Sequence, residues 1–315
     1  MQKIIYKLPK EFISRIKMFF PAVSVRILNA LTQPRATTFR INRIKIDHTG
    51  WKKYMTENQI RAQQVSWFPD AFILKNMSQR ELQETNAYTE GKIYLQNVSS
   101  MVPVLLLNLK ASELILDLCA APGSKTTQMV SLTSNQAQVV AVEKVQSRYY
   151  RLRANCERQG ASSVRCMLGD AGTIARKFPE HFDKVLLDAP CSSEGLFRAY
   201  NKHTFAYWSL RKVKEMQRKQ KRLISAAWHA LKKGGVLVYS TCTFSPDENE
   251  EVVDWLIKKY FDEVMVEDIP LPFSNHISGL NTVGEKIFDS RVRKTRHILP
   301  TETMEGFFIA KIRKL

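Results

Sequence analysis

Five cysteines stand at positions 119, 156, 166, 191 and 242, and two of them are placed for chemistry. Val185–Ser193 reads VLLDAPCSS and Val236–Phe244 reads VLVYSTCTF. Each is an apolar run of strand length that stops at a polar cluster holding one cysteine, Cys191 or Cys242. In an open α/β sheet, ligands bind just beyond the carboxyl ends of the strands, so a thiol there is positioned to react. A free cysteine ordinarily packs as a small hydrophobe. Two at equivalent strand ends, one after Asp-Ala-Pro and one after Ser-Thr, favour chemistry instead. The residue types alone leave open which of the two attacks. An odd cysteine count without C-x-x-C spacing fits reduced thiols, with neither a disulfide framework nor a zinc site; no metal is expected.

These residues need a scaffold, and the chain supplies one from Glu113 onward. The runs 114–120, 138–144, 164–170, 184–190 and 235–242 read as strands. Helical patterns separate them, from Ser124, over 146–159, over 210–233 and over 247–260. Two closing strands follow, EVMVEDI and GFFIAKIRKL. Such alternation predicts a mostly parallel sheet with helices on both faces.

The first strand-to-helix turn, Asp117–Lys125, carries small residues that let a ligand approach the backbone. It lacks the glycines of G-x-x-x-x-G-K-[ST] and of G-x-G-x-x-G, so a P-loop and a dinucleotide fingerprint both fail. Acids end three successive strands: Asp117, Glu143 and Asp170. Glu143 suits a ribose and Asp170 an adenine edge, which points to a nucleoside-type ligand such as S-adenosylmethionine.

The chain has 315 residues, room for one large domain or two modest ones. Forty-eight Lys and Arg against 30 Asp and Glu give +18, which points to a polyanionic partner, most simply nucleic acid. Apolar runs are too short to span a bilayer, and MQKIIYKLPKEF has no signal-peptide core; a cytoplasmic protein without a membrane partner is expected. Residues 10–31 predict two short helices broken at Pro21, and Trp51–Asn58 a third. RATTFRINRIKI (35–46) suits an edge strand whose Arg35, Arg40 and Arg43 meet phosphates or blunt the edge. Trp67–Leu74 is extended. Ser99 or Ser100 is the expected cap of a helix running to Leu107, and the domain boundary falls near residue 108.

DLCAAPGSKTTQ, LLDAPCSSEG and STCTFSPDENEEVV resemble the signature motifs of the RNA cytosine-5 methyltransferases of the NOL/NOP/Sun family. YLQNVSSM, RATTFRINRIK and GFFIAKI support the match. The resemblance implies a class I S-adenosylmethionine-dependent methyltransferase fold, Rossmann-like, with seven strands in the order 3-2-1-4-5-7-6 and the last one antiparallel. It implies a small α+β N-terminal RNA-recognition domain over 1–108 and a catalytic domain over 109–315. Carried over by residue, Cys119, Ala120, Ala121, Pro122, Gly123, Ser124 and Lys125 line the S-adenosylmethionine site. Glu143 takes the ribose, Asp170 lies near the adenine and Arg148 supports the cofactor side. Asp188 lies beside the methyl donor and the base, Cys242 is the nucleophile and Cys191 assists product release. KLPKEFISRIKMFFP and His297–Pro300 resemble the bacterial branch that methylates small-subunit ribosomal RNA, so rRNA ranks ahead of tRNA as partner, with the enzyme a monomer. Larger members of that branch continue into an extra C-terminal RNA-binding domain, whereas this chain ends with the last strand. A tRNA methyltransferase, or a noncatalytic RNA-binding assembly factor, are the alternatives; intact cysteine and cofactor motifs speak against the latter.

C5 of cytosine is too weak a nucleophile to take a methyl group unaided. Thiolate addition at C6 turns C5 into an enamine carbon, and covalent catalysis splits one hard step into two. Protonation or hydrogen bonding at N3, a role suited to Asp188, eases the addition. The base must be single-stranded or flipped out. In the loop 192–208, Phe197, Arg198, Lys202, Phe205 and Tyr207 are suited to phosphates and stacked bases, or to a core beneath the loop. Lys125 is expected to hold a carboxylate, Asp117 being the near candidate, or to lower a thiol pKa.

Overall fold

The apolar runs and helical patterns fold into two sheets in the computed structural model, which describes residues 7–315. The opening Met1–Tyr6, read above for a signal peptide, lies outside the described residues. Strands β1 (Thr38–Ile41), β2 (Ala62–Val65), β3 (Phe68–Leu74) and β4 (Ile93–Leu95) form an antiparallel sheet in the order β2-β3-β1-β4. Phe39 stacks on Phe72 at 5.6 Å and meets Trp51 of the helix His48–Glu57 edge-on at 5.5 Å.

The large sheet begins with β5 (Leu114–Asp117), β6 (Gln138–Glu143), β7 (Val164–Leu168), β8 (Phe182–Asp188), β9 (Leu231–Thr241) and β10 (Val264–Glu267). It continues through β11 (His276–Ser278), a small hairpin of β12 (Thr282–Val283) and β13 (Lys286–Ile287), β14 (Arg296–Ile298) and β15 (Phe307–Lys314). Its order contains β7-β6-β5-β8-β9-β15-β10, with β15 antiparallel to β9. This is the expected 3-2-1-4-5-7-6 order of a class I methyltransferase. β14 and β11 extend it past the other half of β15; at three residues each they show no alternation that a sequence pattern can reveal.

The interior strands are buried on both faces, as parallel strands between helices must be. Leu116, Leu187 and Tyr239 pack on one side with Ile224 and Trp228 of the helix Leu210–Ala230. Ile115, Leu186 and Val238 pack on the other with Met101 and Met129, from the helices Val98–Leu106 and Ser124–Leu132. Among the described residues, no helix is long and apolar enough to cross a membrane.

Two expectations need correction, and one left open is decided. β1 lies inside its sheet, between β3 and β4, because Thr38–Ile41 is buried throughout. Arg40 therefore meets protein, not phosphate: Nε donates to Gln96 Oε1 at 2.9 Å, and Nη2 donates to Thr127 Oγ1 at 2.8 Å and Ser124 O at 3.1 Å. The helix before the catalytic unit is capped by Asn97, whose Oδ1 accepts from Ser99 N at 3.0 Å, so the cap comes before the predicted serines. Phe197 and Phe205 are core residues, packed with Phe12 of the helix Lys10–Phe19 and Phe244. Burying such a ring stabilises by about 1.5–3 kcal/mol, which fastens the loop to the N-terminal helices. Tyr207 stays 91% exposed.

Candidate active site

β8 and β9 run parallel and in register, with Asp188 beside Ser240. Leaving the sheet together, they bring Cys191 Sγ to 3.3 Å from Cys242 Sγ. Ser193 Oγ sits 3.7 Å from the Cys242 sulfur, on a residue held at φ 60°. The hydrogen bond with Cys242, and then desolvation, push the Cys191 thiol well above its ordinary value. The protonated form of Cys191 is thus favoured, in direct contact with the Cys242 sulfur.

The Cys191 loop is held from below by a buried carboxyl that the sequence reading passed over. Glu248 Oε2 accepts from Ser192 N at 2.9 Å and Gln220 Nε2 at 3.0 Å, while Ser192 Oγ meets Oε1. Gln220 Nε2 also donates to Pro190 O at 2.9 Å. Burial pushes Glu248 up to about 8, against those donors. A second clamp comes from Gly195, whose N–H donates to Cys242 O at 2.9 Å. A Cβ on Gly195 would lie 2.1 Å from Gly306 O, so only glycine allows this approach.

Asp188 sits at the mouth of the cysteine pair. Lys125 Nζ is 2.6 Å from its Oδ2, and Ser240 Oγ donates to Oδ1 at 2.7 Å. Lys125 also donates to Ser100 Oγ at 2.8 Å. The lysine thus chooses Asp188 over Asp117, which instead accepts from Thr126 Oγ1 at 2.7 Å and is pushed up to about 7 by burial.

A cavity of about 370 Å³ joins these groups to the first turn and to the ends of β6 and β7. Its lining includes Cys119, Ala121, Glu143, Arg148, Asp170, Asp188, Cys191 and Cys242. Ala120, Pro122, Gly123, Ser124 and Lys125, expected to line the cofactor site, are not among the lining residues; Gly123, at φ 104°, makes the turn that starts the helix. Glu143 Oε1 accepts from Val145 N at 2.8 Å, and its Oε2 lies 3.7 Å from Arg148 Nη1. Arg148 also donates to Ala121 O at 2.7 Å, tying turn and acid together. Burial alone would raise Asp170, but hydrogen bonds from Arg222 (2.8 Å) and Lys144 (3.2 Å) hold it well below the usual carboxylate range. Lys144, Arg222 and Ser193 line the cavity too; Lys144 follows a predicted acid, but Arg222 arrives from a helix distant in sequence, with no local signal. Desolvation pushes the Cys119 thiol up, leaving it an inert wall.

The arrangement fits S-adenosylmethionine. A volume of this order suits a small organic ligand. Glu143 offers Oε2 to a pair of hydroxyls, Leu118 and Ala171 give apolar wall, and the Asp188 carboxylate suits a sulfonium charge.

Residues 104–313 match the family described as 16S rRNA methyltransferase RsmB/F, and residues 8–98 the N-terminal domain of 16S rRNA methyltransferase RsmF. The tRNA (cytosine(49)-C(5))-methyltransferase of Pyrococcus abyssi is 41% identical over 286 residues, 90% of each chain. Ribosomal RNA small subunit methyltransferase F of Vibrio parahaemolyticus is 36% identical over 313 residues, 98% of this chain but 63% of the relative. This chain therefore spans less than two thirds of that relative. A solved methyltransferase homolog from Pyrococcus horikoshii shares the fold at a TM-score of 0.84 and 30% identity, covering 98% of this chain and 96% of that one.

Proposed function

The chain belongs to the RsmB/F family of S-adenosylmethionine-dependent RNA methyltransferases, and we propose that it methylates C5 of a cytosine in RNA through a Cys242 adduct. The observation that carries this reading is the cysteine pair itself, two sulfurs 3.3 Å apart that line one cavity with Asp188. Burial and the contact with Cys242 favour the protonated form of Cys191, which supports Cys242 as the attacking sulfur and Cys191 as the group that assists release.

S-adenosylmethionine, when bound, supplies an electrophilic methyl group. Glu143 holds its ribose, Asp170 bounds the adenine end, Arg148 braces the turn that carries Cys119 to Lys125, and Asp188 faces the reacting centre. Cys242 adds to C6 of the flipped cytosine and its thiol proton ends on N3; the Asp188 carboxylate, paired with the Lys125 ammonium, is the group that receives that proton and delivers it to N3. After transfer, C5 gives its proton to a solvent water, N3 gives back its own, and the C6–sulfur bond breaks. Cys191, in contact with that sulfur, returns a proton to it. Residues 1–108 are proposed to grip the RNA.

Small-subunit rRNA is the first substrate to test, supported by both family matches. The 41% identity to the archaeal tRNA enzyme supports tRNA as the second. The test incubates the protein with labelled S-adenosylmethionine and separate unmodified rRNA and tRNA pools, followed by nucleoside analysis. Labelled 5-methylcytidine in one pool fixes reaction and RNA class together. Cofactor binding without label in either pool, or in assembled subunits, would overturn the enzyme reading and leave an RNA-binding assembly factor.

A further inference from the structure

We infer that the exposed face of the helix Leu210–Ala230 is the track that holds the RNA strand flanking the target cytosine. The inference rests on the proposed function and assigns the partner surface of that same site. Arg211, Lys214 and Arg218 recur at helical spacing and are all exposed. None of the three has an ion-pair partner among the described residues, whereas Glu215, the acid on this face, is held by Lys212 at 3.2 Å. Uncompensated cations on one face build a local positive potential, which is the footprint of a polyanion site.

The stripe leads to the chemistry. Lys219 and Arg222, the next exposed cations on the face, line the cavity that contains Cys191, Cys242 and Asp188. Gln220 between them holds the Cys191 loop through Pro190 O. From Arg211 to Arg222 the helix rises about 16 Å, enough to follow several successive phosphates. At its start stands Tyr207, 91% exposed, a ring on which a base can stack. Past its far end Arg222 also borders a second cavity of about 620 Å³, where Lys259 lies 5.0 Å over Trp255 and 5.1 Å over Tyr260. Cations interleaved with rings suit single-stranded nucleic acid better than they suit a lipid surface, which would want an apolar edge.

The test uses the full chain, with Arg211→Glu, Lys214→Glu and Arg218→Glu combined, and a matching triple glutamine variant. None of the three residues belongs to the catalytic or cofactor machinery. Affinity for a fluorescein-labelled single-stranded RNA is read by anisotropy between about 50 and about 200 mM salt. Cofactor binding by calorimetry and thermal unfolding report whether the fold survives. The expected result is unchanged cofactor affinity with RNA binding weakened at least tenfold. The slope of log K against log salt should fall by about 2 for three lost single-strand contacts, and methylation should show a raised KM with little change in kcat. A glutamine triple that binds RNA with wild-type affinity and slope would overturn the track while leaving the methyltransferase reading intact. A wild-type protein that binds anionic vesicles but no RNA would overturn both.

Discussion

Replacing Arg40 by methionine isolates one interaction that joins the antiparallel sheet to the helix Ser124–Leu132. Arg40 is 1% exposed, and among the described residues no carboxylate hydrogen-bonds to it, although the charge of Asp70 and the Tyr94 ring at 5.2 Å favour it; its three bonds run to Gln96 Oε1, Thr127 Oγ1 and Ser124 O. Burial lowers its pKa to about 10, so the charged form persists at neutral pH and must be held by those acceptors. Hydrogen bonds to a charged group contribute roughly 1.5–3 kcal/mol each, or about 5–9 kcal/mol for three. Releasing a guanidinium from burial offsets several of these. Gln96 Oε1 is then left without its donor, at about 1–3 kcal/mol. Methionine keeps the stem in place, so the net expectation is a destabilisation of about 2–4 kcal/mol. Urea unfolding followed by tryptophan fluorescence should show a lower midpoint at unchanged slope. Because Arg40 also grips the carbonyl of Ser124, at the turn beside the proposed cofactor site, calorimetry should show weaker S-adenosylmethionine binding. Arg40→Lys should recover only part of either loss, since one ammonium cannot span the same acceptors. Stability of Arg40→Met within about 0.5 kcal/mol of wild type would refute the reasoning.

Glu248, pushed from 4.5 up to about 8 by burial, binds a proton in the folded chain that the unfolded chain has released, so its contribution is fully present below about 4.5 and lost as pH rises through about 8. Glu248→Gln should therefore gain on wild type across that window in pH-dependent unfolding, and a constant difference would count against it. His297→Ala removes a fully buried ring bonded to Glu250 at 2.5 Å and packed 5.0 Å from both Phe20 and Phe308. The loss should be about 3–5 kcal/mol in denaturant, and less than about 1 kcal/mol would contradict it. Gly195→Ala drives a methyl group into Gly306 O and must move the Cys242 strand end; kcat should fall at least tenfold, with cofactor affinity retained.

Sequence alone revealed those parts of the fold whose signal is local. β8 and β9 are apolar runs closed by polar clusters, and their parallel register follows from the alternation around them, so the cysteine pair was visible before its 3.3 Å contact. Arg40 was misread because a basic, β-branched run looks like an edge; only the strands on either side show that it is inside. Glu248 was hidden for the opposite reason. In PDENEE every acid looks solvated, and nothing local says that the second one, Glu248, turns inward beneath Ser192. The rings of the 192–208 loop were equally balanced between core and stacking until the N-terminal helices were seen to cover Phe197 and Phe205. Lys125 was legible as a cation at a helix start, but its choice of Asp188 depends on β8 lying beside β5.

The most direct measurement of the central claim is covalent capture of RNA by cysteine variants in the presence of S-adenosylmethionine, read as a denaturation-resistant protein–RNA band. The account predicts that Cys191→Ala accumulates the adduct, because the sulfur of Cys242 attacks but release is slowed. Cys242→Ala, and the double variant, should form none. An adduct that survives in Cys242→Ala and vanishes in Cys191→Ala would contradict the assignment, and place the nucleophile on the other strand end.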